Sequence, residues 1–151
     1  MKKRKILVVD DEAIIVDTVT LILQSRGYEV ISASNGSEGF AKAKSEHPDL
    51  ILLDIMMPVM NGHDACVKLK ADRNTKKIPV IMFTGQGDRE AILKAHQTGA
   101  DDYILKPFTM PTLLTKLNQQ FEQSQKMPKY RKLPWWRRIF RKRKGSNFYT
   151  N

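Results

Sequence analysis

Leu50-Ile51-Leu52-Leu53-Asp54 passes from four consecutive apolar residues into a carboxylate, and Ile55-Met56-Met57-Pro58-Val59-Met60-Asn61-Gly62 leads away from it. An apolar run this short, followed by a stretch with proline, asparagine and glycine, reads as a strand buried on both faces rather than a helix. Strands of that kind belong to parallel sheets covered by helices. In such sheets ligands bind beyond the carboxyl ends of the strands, so the position of Asp54 makes it a candidate site residue from the outset.

Working outward, Ile6-Leu7-Val8-Val9, Glu29-Val30-Ile31-Ser32-Ala33, Pro79-Val80-Ile81-Met82-Phe83 and Asp102-Tyr103-Ile104-Leu105 read as four further short strands. Between them lie segments with helical spacing, marked by Ile14, Thr18, Leu21 and Ile22, by Ala65 and Leu69, and by Leu113, Leu114, Leu117 and Phe121. Gly27, Gly62 and Gly99 punctuate helix starts or ends, and Pro48 and Pro79 lead into strands. Strand and helix alternate five times with no internal repeat, the pattern of a doubly wound α/β fold.

The chain has 151 residues and a net charge of +10, and the charge is unevenly placed. Residues 1–125 carry 16 basic and 16 acidic side chains, whereas 126–151 carry ten Lys or Arg and no acid. A neutral domain over 1–125 followed by a cationic extension over 126–151 is therefore expected. The single cysteine, Cys66, has no partner for an intrachain disulfide or a paired metal site, which favours a reducing, cytoplasmic setting. The basic start Lys2-Lys3-Arg4-Lys5 is followed by an apolar run too short for a signal peptide, and no apolar stretch approaches the roughly 20 residues of a membrane span. Any membrane contact is expected to be peripheral, at the inner face.

Polar groups stand at four predicted strand ends: Asp10-Asp11, Asp54, Thr84 and Lys106-Pro107. Singly, each is as well explained as a turn former, a helix cap or a solvated loop residue. Together they define chemistry. Three carboxylates at close range repel and require a positive charge among them, and their oxygens suit a hard cation such as magnesium. No Ser-His or Cys-His pairing is evident, and His47, His63 and His96 read as surface or helix-end residues. That leaves a carboxylate as the nucleophile, one able to attack phosphorus and form an acyl phosphate.

These residues resemble the receiver domains of two-component response regulators, including the stand-alone chemotaxis and cell-cycle type, over roughly residues 4–124. The resemblance rests on Val8-Val9-Asp10-Asp11-Glu12, on Leu52 to Gly62, on Phe83-Thr84-Gly85 and on Tyr103-Ile104-Leu105-Lys106-Pro107-Phe108. It implies a flavodoxin-like sheet of order 2-1-3-4-5 with five helices. It implies a phosphorylation-dependent switch rather than an enzyme with a separate substrate, with Asp54 as phosphoacceptor. Asp10, Asp11, Asp54 and the backbone carbonyl of Met56 would hold Mg2+. Thr84 and Lys106 would engage the phosphoryl oxygens, and Tyr103 would move with Thr84. A sensor histidine kinase or phosphotransfer protein would be the donor, and a downstream protein target or a phosphorylation-dependent homodimer would carry the output. Met56 and Gln86 would flank the path of an attacking water. Met57 and Met60, with Met56, read as packing residues, and Cys66 as a small half-buried apolar one.

The extension contains Leu133-Pro134-Trp135-Trp136-Arg137-Arg138-Ile139-Phe140-Arg141, whose spacing suits a short amphipathic helix starting near Pro134. Trp135, Trp136, Arg137, Arg138, Phe140 and Arg141 are its candidate contact residues. An anionic membrane, a nucleic acid or an acidic protein groove could each order it. Two rival readings follow: a regulator acting mainly through this basic tail on DNA or membrane, and a pseudo-receiver that only binds partners.

Overall fold

The computed structural model describes residues 2–85 and 89–126. Gln86 and the contact residues of the tail lie outside them. Five strands and five helices alternate along the chain: β1 (Lys5–Val9), α1 (Ala13–Ser25), β2 (Glu29–Ala33), α2 (Gly36–Glu46), β3 (Leu50–Asp54), α3 (Gly62–Ala71), β4 (Val80–Gly85), α4 (Arg89–Gln97), β5 (Asp102–Lys106) and α5 (Met110–Lys126). The strands form one parallel sheet of order β2-β1-β3-β4-β5, the doubly wound arrangement expected. Pro79 stands just before β4 rather than within it. It has no N–H for the ladder, but its carbonyl accepts a hydrogen bond from Ile51 N at 2.9 Å.

Side chains of successive strand residues alternate between the two faces of the sheet, and each face has its own core. Ile6, Val8, Leu50, Leu52, Ile81, Phe83 and Ile104 pack with Val19 and Leu23 of α1 and with Leu113, Leu117 and Phe121 of α5. Leu7, Val9, Ile51, Leu53, Val80 and Met82 pack with Ala43 of α2, Ala65, Cys66 and Leu69 of α3, and Ala91 and Ala95 of α4. Burial on both sides is why β1, β3 and β4 are almost wholly apolar instead of alternating with polar residues.

In α1 the helix is present, but its inward face is Val19 and Leu23 with Ile15, Val16 and Ile22 partly buried. Ile14 and Leu21, two residues that suggested the helix, are 73% and 70% exposed. The helix is apolar around most of its circumference, so periodicity alone does not say which stripe faces the sheet.

The turns that frame the sheet's carboxyl end are tightly specified. Asn61 accepts a hydrogen bond from Asp64 N at 2.9 Å and caps α3. Gly62 donates its N–H to Ile55 O at 2.8 Å. A Cβ at Gly62 would run into the backbone carbonyl of Asp54 and the Cα of Ile55, so only glycine lets α3 start this close to the end of β3.

Candidate functional site

The alternation that builds the two cores also aims the polar residues. Asp54 continues the series Leu50–Leu52, Asp10 extends Ile6–Val8, and Lys106 follows Ile104, so all three come out on the side of α1 and α5. Their contacts bear this out: Lys106 Nζ lies 3.0 Å from Asp10 Oδ2 and 3.2 Å from Asp54 Oδ1. Thr84 extends the series Val80–Met82 on the opposite face, where Tyr103 packs half-buried against the second core. Strand register sets Asp54 beside Phe83 and Thr84 beside Leu105.

Asp10 and Asp54 are almost fully buried, whereas Asp11 is exposed. Carboxylate oxygens of the three lie within 4.8 Å of one another. Asp10 also accepts a hydrogen bond from Glu12 N at 2.9 Å, which turns the chain after β1. Burial, reinforced by the charge of Asp10 and opposed by that of Lys106, pushes the Asp54 carboxyl up to about 6. Burial works against the Lys106 ammonium, yet its hydrogen bond to Asp10 and the charges of Asp54 and Asp10 hold it above its ordinary value.

Such a site is short of positive charge: three carboxylates face one ammonium. The donor set, all oxygen and opening onto solvent through Asp11, suits a hard divalent cation with room for water ligands. Sulfur and imidazole donors, which would direct the site toward softer metals, are not among the group.

The fold thus brings together Asp10, Asp11, Asp54 and Lys106 as expected, with Thr84 on the neighbouring strand. Thr84 is buried, and its Oγ1 donates to Gly85 O at 3.4 Å. Tyr103 lies on β5, two residues before the register partner of Thr84, with Lys116 Nζ 5.6 Å from its ring centroid. Three details were not read from sequence. Glu12 Oε1 approaches Lys106 Nζ at 3.9 Å, making a further carboxylate at the rim. The Lys106–Pro107 peptide is cis. Phe83 and Phe108 stack at 5.0 Å, with Lys106 Nζ 5.7 Å from the Phe83 ring, so an aromatic wall flanks the lysine.

Some expectations need correction. Met57 is buried and Met60 packs against the core, but Met56 is 81% exposed in the loop leaving Asp54 and is no packing residue. His63 stands at a helix start but is buried, since α3 presses its first turn against the sheet. Cys66 is fully buried rather than half-buried, its thiol pointing to Thr98 O at 3.5 Å and pushed up by burial.

A five-stranded doubly wound sheet with an acidic trio and a lysine at its carboxyl end defines a class of phosphoryl-accepting signalling domains. The pattern of the response regulator receiver domain matches residues 6–118, and the chain belongs to that family of two-component signalling switches. It is 36% identical over 124 residues to the DNA-binding dual master transcriptional regulator RpaA of Synechocystis sp., covering 82% of this chain and 52% of that protein. The chain spans about half the length of the curated relatives it matches. Among solved structures it resembles the chemotaxis protein CheY4 of Vibrio cholerae, with a TM-score of 0.74, 35% identity, and 78% of this chain and 98% of that one covered. It also resembles the receiver domain of sensor histidine kinase PA1611 from Pseudomonas aeruginosa, with a TM-score of 0.73, 28% identity, and 78% and 97% coverage. That structure has a magnesium ion in its active-site cleft.

Proposed function

We propose that this chain accepts a phosphoryl group on Asp54 from a phosphohistidine donor, a sensor histidine kinase or phosphotransfer protein, and signals through the resulting change in its surface. The observation that carries this reading is the approach of Lys106 Nζ to Asp54 Oδ1 at 3.2 Å within a cluster of carboxylates. It supplies a nucleophile together with the charge that accepts its product.

In the transfer, one Asp54 oxygen forms a bond to phosphorus while the bond from phosphorus to the donor's imidazole nitrogen breaks, its electron pair staying on nitrogen. Lys106 then pairs with a phosphoryl oxygen, and the Thr84 hydroxyl donates to another. Asp10, Asp11, Asp54 and the Met56 carbonyl are the residues that would hold Mg2+, which when bound neutralises charge on the phosphoryl oxygens. Asp54 is ionised at neutral pH despite its raised pKa, so it is available as a nucleophile. The chain turns over no separate substrate on this reading.

Rearrangement of Thr84 toward the phosphoryl group opens space that Tyr103, on the same face of the sheet, can enter. That would alter the surface of α4, β5 and α5 for a downstream protein or a second copy. The shift can be no larger than the difference in phosphoryl stabilisation between the two states.

Intact mass after incubation with acetyl phosphate and magnesium tests the proposal. One added phosphoryl group that requires the metal and disappears in Asp54→Ala is the expected result. No adduct on the wild type would overturn it in favour of a constitutive binding module.

A further inference from the structure

β5 is an edge strand, with β4 as its one neighbour in the sheet. Asp102 stands at its start on the face of Ile104 and Lys106, which α5 covers, and its side chain is buried. Tyr103 points to the opposite face, half-buried against the core that holds Ala91 and Ala95 of α4. Lys116 of α5 reaches both residues around the open edge of the strand.

The Asp102 carboxylate is bonded at both oxygens. Lys116 Nζ donates to Oδ1 at 3.0 Å and to Oδ2 at 3.1 Å, and the Tyr103 N–H donates to Oδ1 at 2.8 Å. Removing the ammonium would leave a buried charge uncompensated, so this pair is held far more firmly than an ion pair on a solvated surface. The same Nζ lies 5.6 Å from the Tyr103 ring centroid, within the range at which an aromatic face attracts a cation. Asp102 thus fixes the ammonium, and the ammonium in turn holds the ring.

Tyr103 is also the residue whose ring enters the space that Thr84 vacates on the proposed reading of the site. That space lies toward β4 and the carboxyl end of the strands, since Thr84 stands two residues beyond Met82, the register partner of Tyr103. Reaching it takes the ring off the sheet edge and out of range of an ammonium that Asp102 retains. Because the Tyr103 N–H is bonded to the same carboxylate, the main chain of β5 stays in place and the movement is a rotation of the side chain.

We propose that the Asp102–Lys116 pair is a latch on Tyr103, holding the ring at the sheet edge and setting how much of the unphosphorylated chain already adopts the inward arrangement. The inference rests on Asp54 as phosphoacceptor and deepens that reading, because it assigns regulation of the site to residues that touch neither the phosphoryl group nor the metal ligands. Lys116 is a positioning residue, acting through Tyr103. A cation on a partly exposed aromatic face biases such a two-state equilibrium by about two- to fivefold. A ligand that selects the inward state binds in proportion to the population of that state, so releasing the latch tightens its binding by the same factor.

The test is a titration of the full chain, carrying 13C-labelled tyrosine, with beryllofluoride as a phosphoryl mimic in saturating magnesium. It is read by NMR at the Tyr103 ring resonance, which Tyr103→Phe assigns by its loss. Lys116→Gln keeps a hydrogen-bond donor for Asp102 but removes the charge, and it is expected to bind beryllofluoride about two- to fivefold more tightly than wild type. Lys116→Arg keeps a cation for both partners and should bind as wild type does. Asp102→Asn/Lys116→Gln leaves no buried charge unpaired, should bind as Lys116→Gln does, and serves if that variant fails to fold. A merely structural loss would weaken binding, so the direction of the change separates the two roles. Unchanged or weaker binding in the folded variants that lack the charge overturns the latch while leaving the Asp54 reading intact, and a wild-type Tyr103 resonance that does not respond to beryllofluoride overturns both.

Discussion

Lys106 Nζ bridges Asp54 Oδ1 at 3.2 Å and Asp10 Oδ2 at 3.0 Å, so one ammonium joins the end of β3 to the end of β1 from across β4. Without it, the buried pair of carboxylates would have only solvent at the rim and a metal ion to offset their repulsion. Lys106→Met should therefore raise the Asp54 pKa further, by about one unit in metal-free protein. Titration of the Asp54 carboxyl carbon by NMR reads this directly. An unchanged pKa would mean that the ammonium is not what keeps Asp54 ionised.

Burial, reinforced by the charge of Asp10, makes Asp54 a destabilising residue at neutral pH when no metal is bound. Its pKa rises from the ordinary 3.8 to about 6 in the folded chain. Below 3.8 both states are protonated and nothing is lost. Between 3.8 and about 6 the unfolded chain ionises while the folded one holds its proton, so this group's contribution to stability falls as pH rises and levels off above that range. Asp54→Asn should then be more stable than wild type at pH 7 in chelator, by about 1 to 2 kcal/mol, with the difference vanishing near pH 4. Urea denaturation at the two pH values checks the sign.

Gly62 is expected to tolerate no side chain. A methyl group there would meet the carbonyl of Asp54 and the Cα of Ile55, backbone atoms that cannot turn aside. Gly62→Ala should cost about 2 kcal/mol or more and displace the loop after Asp54. Gly27, where no atom lies within 4 Å of the added Cβ, is a useful contrast: any loss there comes from its φ of +87° alone. Parallel chemical denaturation of the two variants separates collision from backbone strain.

Met56 is 81% exposed two residues beyond Asp54. On the proposed reading, a bulky apolar side chain two residues after the phosphoacceptor hinders the approach of water to the acyl phosphate, so Met56→Asn should shorten the lifetime of phosphorylated Asp54. Stability should stay within about 0.5 kcal/mol, because nothing packs on the methionine. The decay of the phosphorylated mass with time measures it, and an equal or slower decay would refute the shielding role.

Strand positions and the alternation of strand with helix were legible because burial on both faces leaves short uninterrupted apolar runs such as Leu50–Leu53, bounded by turn residues. Asp10, Asp11, Asp54, Thr84 and Lys106 were legible for a related reason: in a parallel sheet all strand ends meet at one edge, so residues distant in sequence can be grouped from strand position alone. The inward stripe of α1 was not legible. A helix apolar on most sides carries no preferred direction until a sheet is laid against it. The burial of His63 and the exposure of Met56 likewise depend on where a loop turns relative to the core, which spacing does not encode. Sequence by itself determined the architecture, the grouping of the acidic residues and the cationic excess of the tail. Only the tertiary structure decided that Lys106 reaches both carboxylates and that Gly62 abuts Asp54. Those are distances between segments far apart in the chain, and they exist only once packing has fixed the helices on the sheet.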